Sequence, residues 1–294
     1  MKKILKSTIR SLPNKPLIFK VIRWLHPPSF IYKHLYFKGQ FKVKVTSSEF
    51  FLINHSEAQL ENQLFWDGLF NSWEGTSLKI WVELCRKSKS IFDIGANTGI
   101  YSLTAKAVNK NSNVYAFEPV KRVYQKLVEN IRINSYSIDT YELGLSNYDG
   151  EASIYDTGNE HIYSVTINKN LNPENTLVYE SRVKVNRFIS WFQKYNIKGM
   201  DLVKIDVETH EPEVIEGMIS QINSFKPSIF LEVLNDEIAD RLNILLDLTG
   251  YMVFDICEKK FGLKRIDKIK KSSGYNILLC TPEVFSCIQS FEIK

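Results

Sequence analysis

The chain has 294 residues, of which 44% are hydrophobic and 24% charged, and its formal net charge is +5. This is the composition of a globular protein, and it excludes wholesale disorder and a fibrous chain. The four cysteines, Cys85, Cys257, Cys280 and Cys287, show no CxxC spacing, which argues against a disulfide scaffold or zinc cluster and favours a reducing cytoplasm.

The amino-terminal part is a basic arm. Residues 1–48 carry eleven lysines and arginines and no acidic residue, whereas the rest of the chain is mildly acidic. Lys6 and Arg10 interrupt the apolar run that a secretory signal needs, and no stretch reaches the roughly 18 uncharged apolar residues of a transmembrane helix. Residues 17–25 predict a short amphipathic helix. It either packs on the body of the protein or rests on an anionic membrane surface.

A hairpin and two helices follow the arm, and strands then alternate with helices. The alternating polar and apolar residues 41–45 and 49–53 predict a hairpin. Helices are expected over 58–70 and 77–86. From residue 90 onwards, the predicted strands are 90–94, 113–117, 140–145, 202–207, 228–233, 251–256 and 275–280. The predicted helices between them are 101–108, 120–134, 212–224 and 235–248.

Apolar strands that alternate with helices predict an α/β fold with a doubly wound, mostly parallel sheet. We therefore divide the chain into an N-terminal basic extension, residues 1–85, and a Rossmann-like domain, residues 86–294. Residues 150–189 interrupt the alternation and are interpreted as an insertion with some β structure at 152–155 and 182–185.

The turn after the first strand of this domain has the features of a nucleotide-binding loop. It reads DIGANTG over residues 93–99, and Glu118 ends the next strand, where a carboxylate suits the two hydroxyls of a ribose. Asn97 and Ile100 stand where the dinucleotide fingerprint has glycines, which argues against NAD. The acid Asp93 suits a ligand with an ammonium or sulfonium group. S-adenosylmethionine has both, and it has no phosphate.

An ordered set of motifs resembles the FkbM-type methyltransferases. The motifs are DIGANTG (93–99), FEP (117–119), the N-x-x-x-N of Asn130 and Asn134, LS (145–146) and KIDVETHE (204–211). The resemblance covers roughly residues 70–235. It implies a class I fold, S-adenosylmethionine as cofactor, and O-methylation of sugars or other secondary-metabolite hydroxyls.

The resemblance also implies which residues bind the cofactor. Asp93, Gly95, Asn97 and Gly99 would face its methionine portion, and Glu118 its ribose. The further residues that it assigns to the cofactor pocket are Glu74 at the wall and Gly144, Leu145 and Ser146, at the end of the third strand, beside the adenine. Thr209 stands where the family usually has glycine, in E-G-x-E, which leaves the conformation of that loop and the acceptor pocket open.

Candidate catalytic residues follow the fourth and fifth strands. A sugar hydroxyl is a poor nucleophile and benefits from a general base, for which Asp206, His210 and Glu232 are the candidates. A divalent metal held by Asp206, Glu208 and Glu232 is a less favoured alternative. Lys204, within the apolar fourth strand, is expected to reach the rim of the sheet with its ammonium group.

The expected acceptor contacts are Glu208 and, in the insertion, His161 and Tyr163, because polar and aromatic groups suit a carbohydrate. We expect a cytoplasmic O-methyltransferase that acts on a sugar or glycan hydroxyl, with peripheral membrane contact through residues 1–44 as a further hypothesis. The alternatives are an NAD-dependent sugar oxidoreductase or epimerase and a non-catalytic, membrane-recruited binding module. A nucleic-acid partner is not expected, since the body is acidic and lacks a recognition motif.

Overall fold

A computed structural model describes residues 15–25, 28, 32, 35–55, 59–156 and 179–293. Its strands are β1 (Lys38–Val45), β2 (Ser48–His55), β3 (Ser90–Ile94), β4 (Asn113–Phe117), β5 (Asp139–Tyr141), β6 (Gly144–Ser146), β7 (Gly150–Asp156), β8 (Tyr179–Arg187), β9 (Leu202–Ile205), β10 (Ser228–Glu232), β11 (Met252–Cys257), β12 (Gly262–Ile266) and β13 (Asn276–Cys280). Its α-helices are α1 (Lys15–Trp24), α2 (Gln59–Asp67), α3 (Gly75–Cys85), α4 (Ile100–Val108), α5 (Lys121–Asn134), α6 (Phe188–Lys194), α7 (Glu211–Phe225), α8 (Asp236–Leu245) and α9 (Pro282–Phe285).

Eight strands form the central sheet in the order β12-β11-β13-β10-β9-β3-β4-β5. Strands β10, β9, β3, β4 and β5 are parallel, and β13 runs antiparallel to both β10 and β11. The chain moves outward from β3 to β5 and then returns to the other side of β3 at β9. The predicted doubly wound, mostly parallel sheet is confirmed, and its switch point lies at the carboxyl ends of β3 and β9, where such sheets bind ligands.

Helices cover both faces of this sheet, because side chains of each strand alternate between them. In β3, the side chain of Ile91 enters one buried cluster, with residues of α3 and α4, whereas Phe92 and Ile94 enter the other, with residues of α6, α7 and α8. Trp81 of α3 is fully buried and packs edge-on against Phe230 of β10. This two-sided burial explains why the strands read as continuous apolar runs.

The N-terminal hairpin is confirmed, and two asparagines of α5 attach it to the domain. Asn130 accepts a hydrogen bond from the Ile53 amide at 3.0 Å, and Asn134 accepts one from the Phe51 amide at 2.6 Å. Asn134 also donates to the Phe51 carbonyl at 2.8 Å. The N-x-x-x-N motif therefore satisfies backbone groups at the edge of β2. One buried cluster includes residues before and after residue 85, and the division at residues 85/86 stays a prediction.

The single strand expected at 140–145 is wrong. The chain leaves the central sheet after β5, and β6 pairs instead with β8 in a second sheet of order β6-β8-β7. Helix α7 fixes β6 there, since a Cβ on Gly217 would lie 2.0 Å from the Ser146 carbonyl oxygen. The β structure predicted at 152–155 and 182–185 is confirmed within β7 and β8. Helix α6 and strand β12 were not predicted.

Candidate cofactor and acceptor site

The loop after β3 turns tightly between the ends of β4 and β9. The amides of Gly95 and Ala96 both donate to the Phe117 carbonyl, at 3.0 and 2.9 Å. Gly95 has φ 80°, and a Cβ there would lie 1.8 Å from the Asp206 carbonyl oxygen. Only glycine combines this conformation with so close an approach of two backbones. The loop is thus seated directly on the start of the segment that follows β9.

Glu118 touches this loop from the end of β4. Its Oε2 accepts the Asn97 amide at 3.1 Å, and its Oε1 accepts the Val120 amide at 2.9 Å. Burial raises the pKa of Glu118 to about 7, against the lowering effect of these two amides. The strand-end acid and the turn therefore meet at one edge of the sheet, as the sequence predicts. Each carboxyl oxygen has two lone pairs, so each retains capacity for one more donor.

Asp93, within β3, is hydrogen-bonded to helix α4. Its Oδ2 accepts the amide and the hydroxyl of Ser102, at 2.9 and 2.5 Å, and the residue is 2% exposed. Burial raises the pKa of Asp93 to about 6. Gly99, at the start of α4, has φ 93° and leaves no room for a Cβ, which would lie 2.6 Å from Leu127. Asp93 thus binds α4 by hydrogen bonds, and Gly99 allows the loop to pack closely at the start of that helix.

A buried lysine lies at the centre of the carboxyl edge. Lys204 is 1% exposed, its Nζ donates to Asp206 Oδ2 at 2.9 Å, and it lies 5.1 Å from the ring centre of Tyr101. The expectation that its ammonium reaches the rim is wrong, because Asp206 and the Tyr101 ring compensate its charge inside. Glu74 completes the group, accepting the Tyr101 hydroxyl at 2.9 Å and the Asn276 amide group at 2.7 Å.

The charges in this group differ from one carboxyl to the next. Burial alone would raise the pKa of Asp206, but the neighbouring Lys204 ammonium outweighs it and the pKa is lowered. Burial raises the pKa of Glu74, and burial together with the Asp206 charge raises that of Glu232 well above its ordinary value. Asp206 is thus the ionised member. With its side chain 32% exposed, it is also the accessible one.

His210 is engaged on both sides of its ring. Nε2 lies 3.0 Å from the Ser146 hydroxyl, and Nδ1 lies 3.4 Å from Glu213, which also pairs with Arg241 at 2.6 Å. Burial lowers the pKa of His210, against the charge of Glu213. The structure therefore places His210 in a bridge between β6 and α7, where it would have to break a contact to accept a substrate proton.

The loop before α7 keeps a glycine-like conformation without glycine. Glu208 and Thr209 have φ 55° and 78°, both in the left-handed region. Glu211 stabilises this turn, because its Oε1 accepts the amides of Val207 and Thr209 at 3.0 and 3.3 Å. Threonine is β-branched and rarely adopts this conformation, so the turn carries strain at Thr209.

Relief of that strain should stabilise the protein. We expect Thr209→Gly to raise the free energy of unfolding by about 1 kcal/mol, the strain released less the added flexibility of the unfolded chain. Urea denaturation followed by circular dichroism measures it. Thr281→Gly is the control, since Thr281 has φ −76° and glycine relieves nothing there. A Thr209→Gly variant less stable than the wild type would contradict the strain.

The remaining predicted residues are placed as follows. Leu145 and Ser146 are buried in β6, outside the central sheet, and a Cβ on Gly144 would lie 3.6 Å from Pro119. Glu208 is half-buried, and its charge contributes to the raised pKa of Glu232. His161 and Tyr163 lie outside the described residues.

Sequence reasoning missed two partners of Glu74, namely Tyr101 and Asn276. Asn276 lies opposite Glu232 in the antiparallel pair of β10 and β13, and this pairing brings it to Glu74. No spacing in the sequence reveals that pairing. Within the described part of the chain, no three His, Cys, Asp or Glu side chains are arranged to hold a metal ion.

Comparisons with known proteins agree with this geometry. The family model of the methyltransferase FkbM domain matches residues 93–260, more than half of the chain. Methyltransferase 1 of Beauveria bassiana is 23% identical over 208 residues, which cover 66% of this chain and 74% of that protein. The hexuronic acid methyltransferase AglP of Haloferax volcanii is 22% identical over 147 residues, and the match covers 50% of this chain but 57% of AglP.

Among solved structures, an FkbM methyltransferase from Methylobacillus flagellatus aligns at 15% identity with a TM-score of 0.40, covering 65% of this chain and 43% of that one. The match of the family model to residues 93–260 shows the family to which the protein belongs. It belongs to the FkbM methyltransferase family and is an S-adenosylmethionine-dependent methyltransferase.

Proposed function

We propose that the protein O-methylates a hydroxyl of a sugar or glycan intermediate. The observation that carries this proposal is the Asp206 carboxylate. It is kept ionised by its contact with Lys204, its side chain is 32% exposed, and its backbone carbonyl lies close against Gly95 of the loop. A proton acceptor is thereby held beside the predicted cofactor loop. The name of the relative AglP, a hexuronic acid methyltransferase, supports a sugar as acceptor.

The residues at the switch point fit S-adenosylmethionine. Asn97 Oδ1 and Glu232 Oε2 are buried and have no hydrogen-bond partner within the described residues. The cofactor carries the donors that such oxygens require, an ammonium group and two ribose hydroxyls, and when bound it supplies the methyl group. We propose that Glu118 holds the ribose and that Gly95 and Asn97 border the methionine portion. Gly144, Leu145 and Ser146 remain the proposed adenine contacts.

The acceptor hydroxyl would lie against Asp206. Orientation of the hydroxyl provides much of the acceleration of a displacement, and a carboxylate that receives its proton provides more. Lys204 keeps Asp206 ionised, so the carboxylate is ready to accept a proton at neutral pH. Glu232, whose pKa is raised, favours its protonated form and hydrogen-bonds Asp206, which leaves its buried Oε2 for a donor of the ligand. His210 is the less favoured base because its Nε2 is hydrogen-bonded to Ser146 and burial lowers its pKa.

We further propose that the protein works at a membrane surface, in contact through residues 1–44, where lipid-carried glycan intermediates are available. No helix within the described ranges is long and apolar enough to span a membrane. Glu208, His161 and Tyr163 remain proposed acceptor contacts.

The Asp206→Asn variant tests the proposed base. We expect the rate of methyl transfer to fall at least about 100-fold, because the amide cannot accept the proton. S-adenosylhomocysteine should bind with an affinity within about threefold of the wild type, since the neutral amide keeps the shape of the site. The assay follows radiolabelled methyl transfer from S-adenosylmethionine to a panel of sugars, nucleotide sugars and lipid-linked glycans.

The matched control is Asp201→Asn, at the opposite end of β9, which should keep the wild-type rate if it folds. Asp201 accepts hydrogen bonds from the amides of Lys89 and Ser90 at 2.7 and 2.9 Å, so the thermal stability of the Asp201→Asn variant is measured as well. Methylation confined to nitrogen or carbon atoms of the acceptors would refute a sugar O-methyltransferase. Full transfer by Asp206→Asn would refute the proposed base.

A further inference from the structure

Helix α1 has one apolar face packed on the protein and a second one exposed. Phe19 is fully buried and packs against Phe37 and Trp66, with ring centres 6.2 and 5.7 Å away. The exposed face consists of Leu17, Val21, Trp24 and Leu25, which are 55%, 64%, 76% and 66% exposed. Their spacing of four, three and one residues places them along one side of the helix. Contiguous exposed apolar side chains of this kind mark interaction sites.

Basic side chains lie on the same helix and in the wall of a neighbouring cavity. Helix α1 contains Lys15, Lys20 and Arg23 and no acidic residue. A cavity of about 790 Å³ lies between α1 and the hairpin, and among the described residues its wall carries four basic side chains and one acid, Asp67. The four are Lys20, Arg23, Lys42 and Lys44.

The charges of that cavity are only partly compensated. Lys42 pairs with Glu49 across the hairpin, and Asp67 accepts a hydrogen bond from Tyr32. Lys20 and Lys44 are exposed, and neither has an ion pair within the described part of the chain. Trp24 borders the same cavity, so an apolar side chain and unpaired ammonium groups lie next to each other.

We propose that α1 and this cavity form a binding site for an anionic lipid bilayer. The exposed apolar face would enter the interface between headgroups and acyl chains, with Trp24 at the level that tryptophan prefers. Lys20 and Lys44 would contact lipid phosphates beside it. A basic surface and an apolar face together supply the two kinds of attraction that stable peripheral binding needs.

Charge favours this occupant over a second copy of the chain. A symmetric pairing of two α1 faces would bring the basic groups of both copies together, and like charges across an interface oppose association. An anionic bilayer offers negative charge and an apolar interior in the same layered order as the basic and apolar groups of the protein. The proposal gives a site to the membrane contact proposed above, and it holds whichever acceptor the enzyme methylates.

Vesicle co-sedimentation of the full chain tests this site. We expect at least about tenfold stronger partition onto phosphatidylcholine vesicles that contain phosphatidylglycerol than onto pure phosphatidylcholine, and weaker partition at high salt. The double variant Val21→Asp/Trp24→Ser should lose about tenfold or more of the partition. The double variant Lys20→Glu/Lys44→Glu should lose the preference for anionic lipid.

Two controls change matched residues away from the site. Ile244, which is 84% exposed on α8, is replaced in Ile244→Ser, and exposed lysines are reversed in Lys264→Glu/Lys268→Glu. Both should bind vesicles as the wild type does. All variants should bind S-adenosylhomocysteine with unchanged affinity, which shows that they are folded and separates this site from the cofactor site.

Three results would overturn the proposal. The first is equal partition of the wild type onto neutral and anionic vesicles. The second is wild-type binding by both double variants of the site. The third combines two measurements. Light scattering shows a dimer for the wild type and a monomer for Val21→Asp/Trp24→Ser, while neither the wild type nor any variant sediments with vesicles. That result would assign the exposed face to a second copy of the chain.

Discussion

Replacement of Glu118 by alanine should weaken the binding of S-adenosylhomocysteine by about tenfold or more. The change removes both oxygens that are proposed to accept the ribose hydroxyls. It also leaves the Asn97 and Val120 amides without the acceptor that fixes the loop beside β4. Isothermal titration calorimetry measures the affinity, and thermal unfolding in the absence of ligand shows how much of the change is loss of structure.

Asp139→Ala is the matched control for Glu118. Asp139 is an exposed carboxylate at the start of β5, so it lies at the opposite edge of the same parallel sheet. Its removal should leave the affinity within about twofold of the wild type. An unchanged affinity in folded Glu118→Ala would refute the ribose contact. Absence of binding by folded wild type would refute the proposed cofactor site as a whole.

The second large effect is expected on folding, at Asn130. This side chain is fully buried, accepts the Ile53 amide at 3.0 Å and donates to the Thr98 carbonyl at 2.8 Å. Leucine has a similar size but leaves both backbone groups buried without partners. Each such group costs about 1–3 kcal/mol, so Asn130→Leu should lower the free energy of unfolding by about 2–6 kcal/mol. Urea denaturation followed by circular dichroism gives this value.

Gln125→Leu is the control on the same helix. Gln125 is exposed, so its replacement should change the free energy of unfolding by less than about 0.5 kcal/mol. Because Thr98 belongs to the proposed cofactor loop, Asn130→Leu should also weaken S-adenosylhomocysteine binding in the fraction that remains folded. A loss of stability below about 1 kcal/mol would show that water or a rearranged hairpin satisfies the two groups.

Local patterns were sufficient to predict most of the central sheet. Strands buried on both faces must be apolar along their length, and the helices between them must be amphipathic. Composition and spacing therefore predict β3, β4, β9 and β10. The meeting of Glu118 with the DIGANTG turn was predictable for the same reason, since the carboxyl ends of adjacent parallel strands share one edge.

Two parts of the site could not be predicted from spacing. The sequence suggests that the Lys204 side chain reaches the rim. In the structure its charge is compensated by Asp206, directly after β9, and by the ring of Tyr101 in α4, which is distant in the chain. Thr209 stands where the family usually has glycine, yet the left-handed turn persists because Glu211 binds two amides of the loop. Contacts from neighbouring residues act here together with one from a distant helix, and spacing alone does not show which of them form.

The amino-acid sequence by itself determined the α/β class and most strands and helices of the central sheet, through local periodicity. Its motifs also placed the acid and glycine residues at the carboxyl edge of that sheet. Tertiary structure alone decided that residues 140–145 divide between two sheets, that the buried Lys204 keeps Asp206 ionised, and that Asn130 holds the hairpin by a hydrogen bond. These outcomes depend on which distant backbone or charge lies opposite a side chain, and burial makes that choice decisive by removing water as the alternative partner.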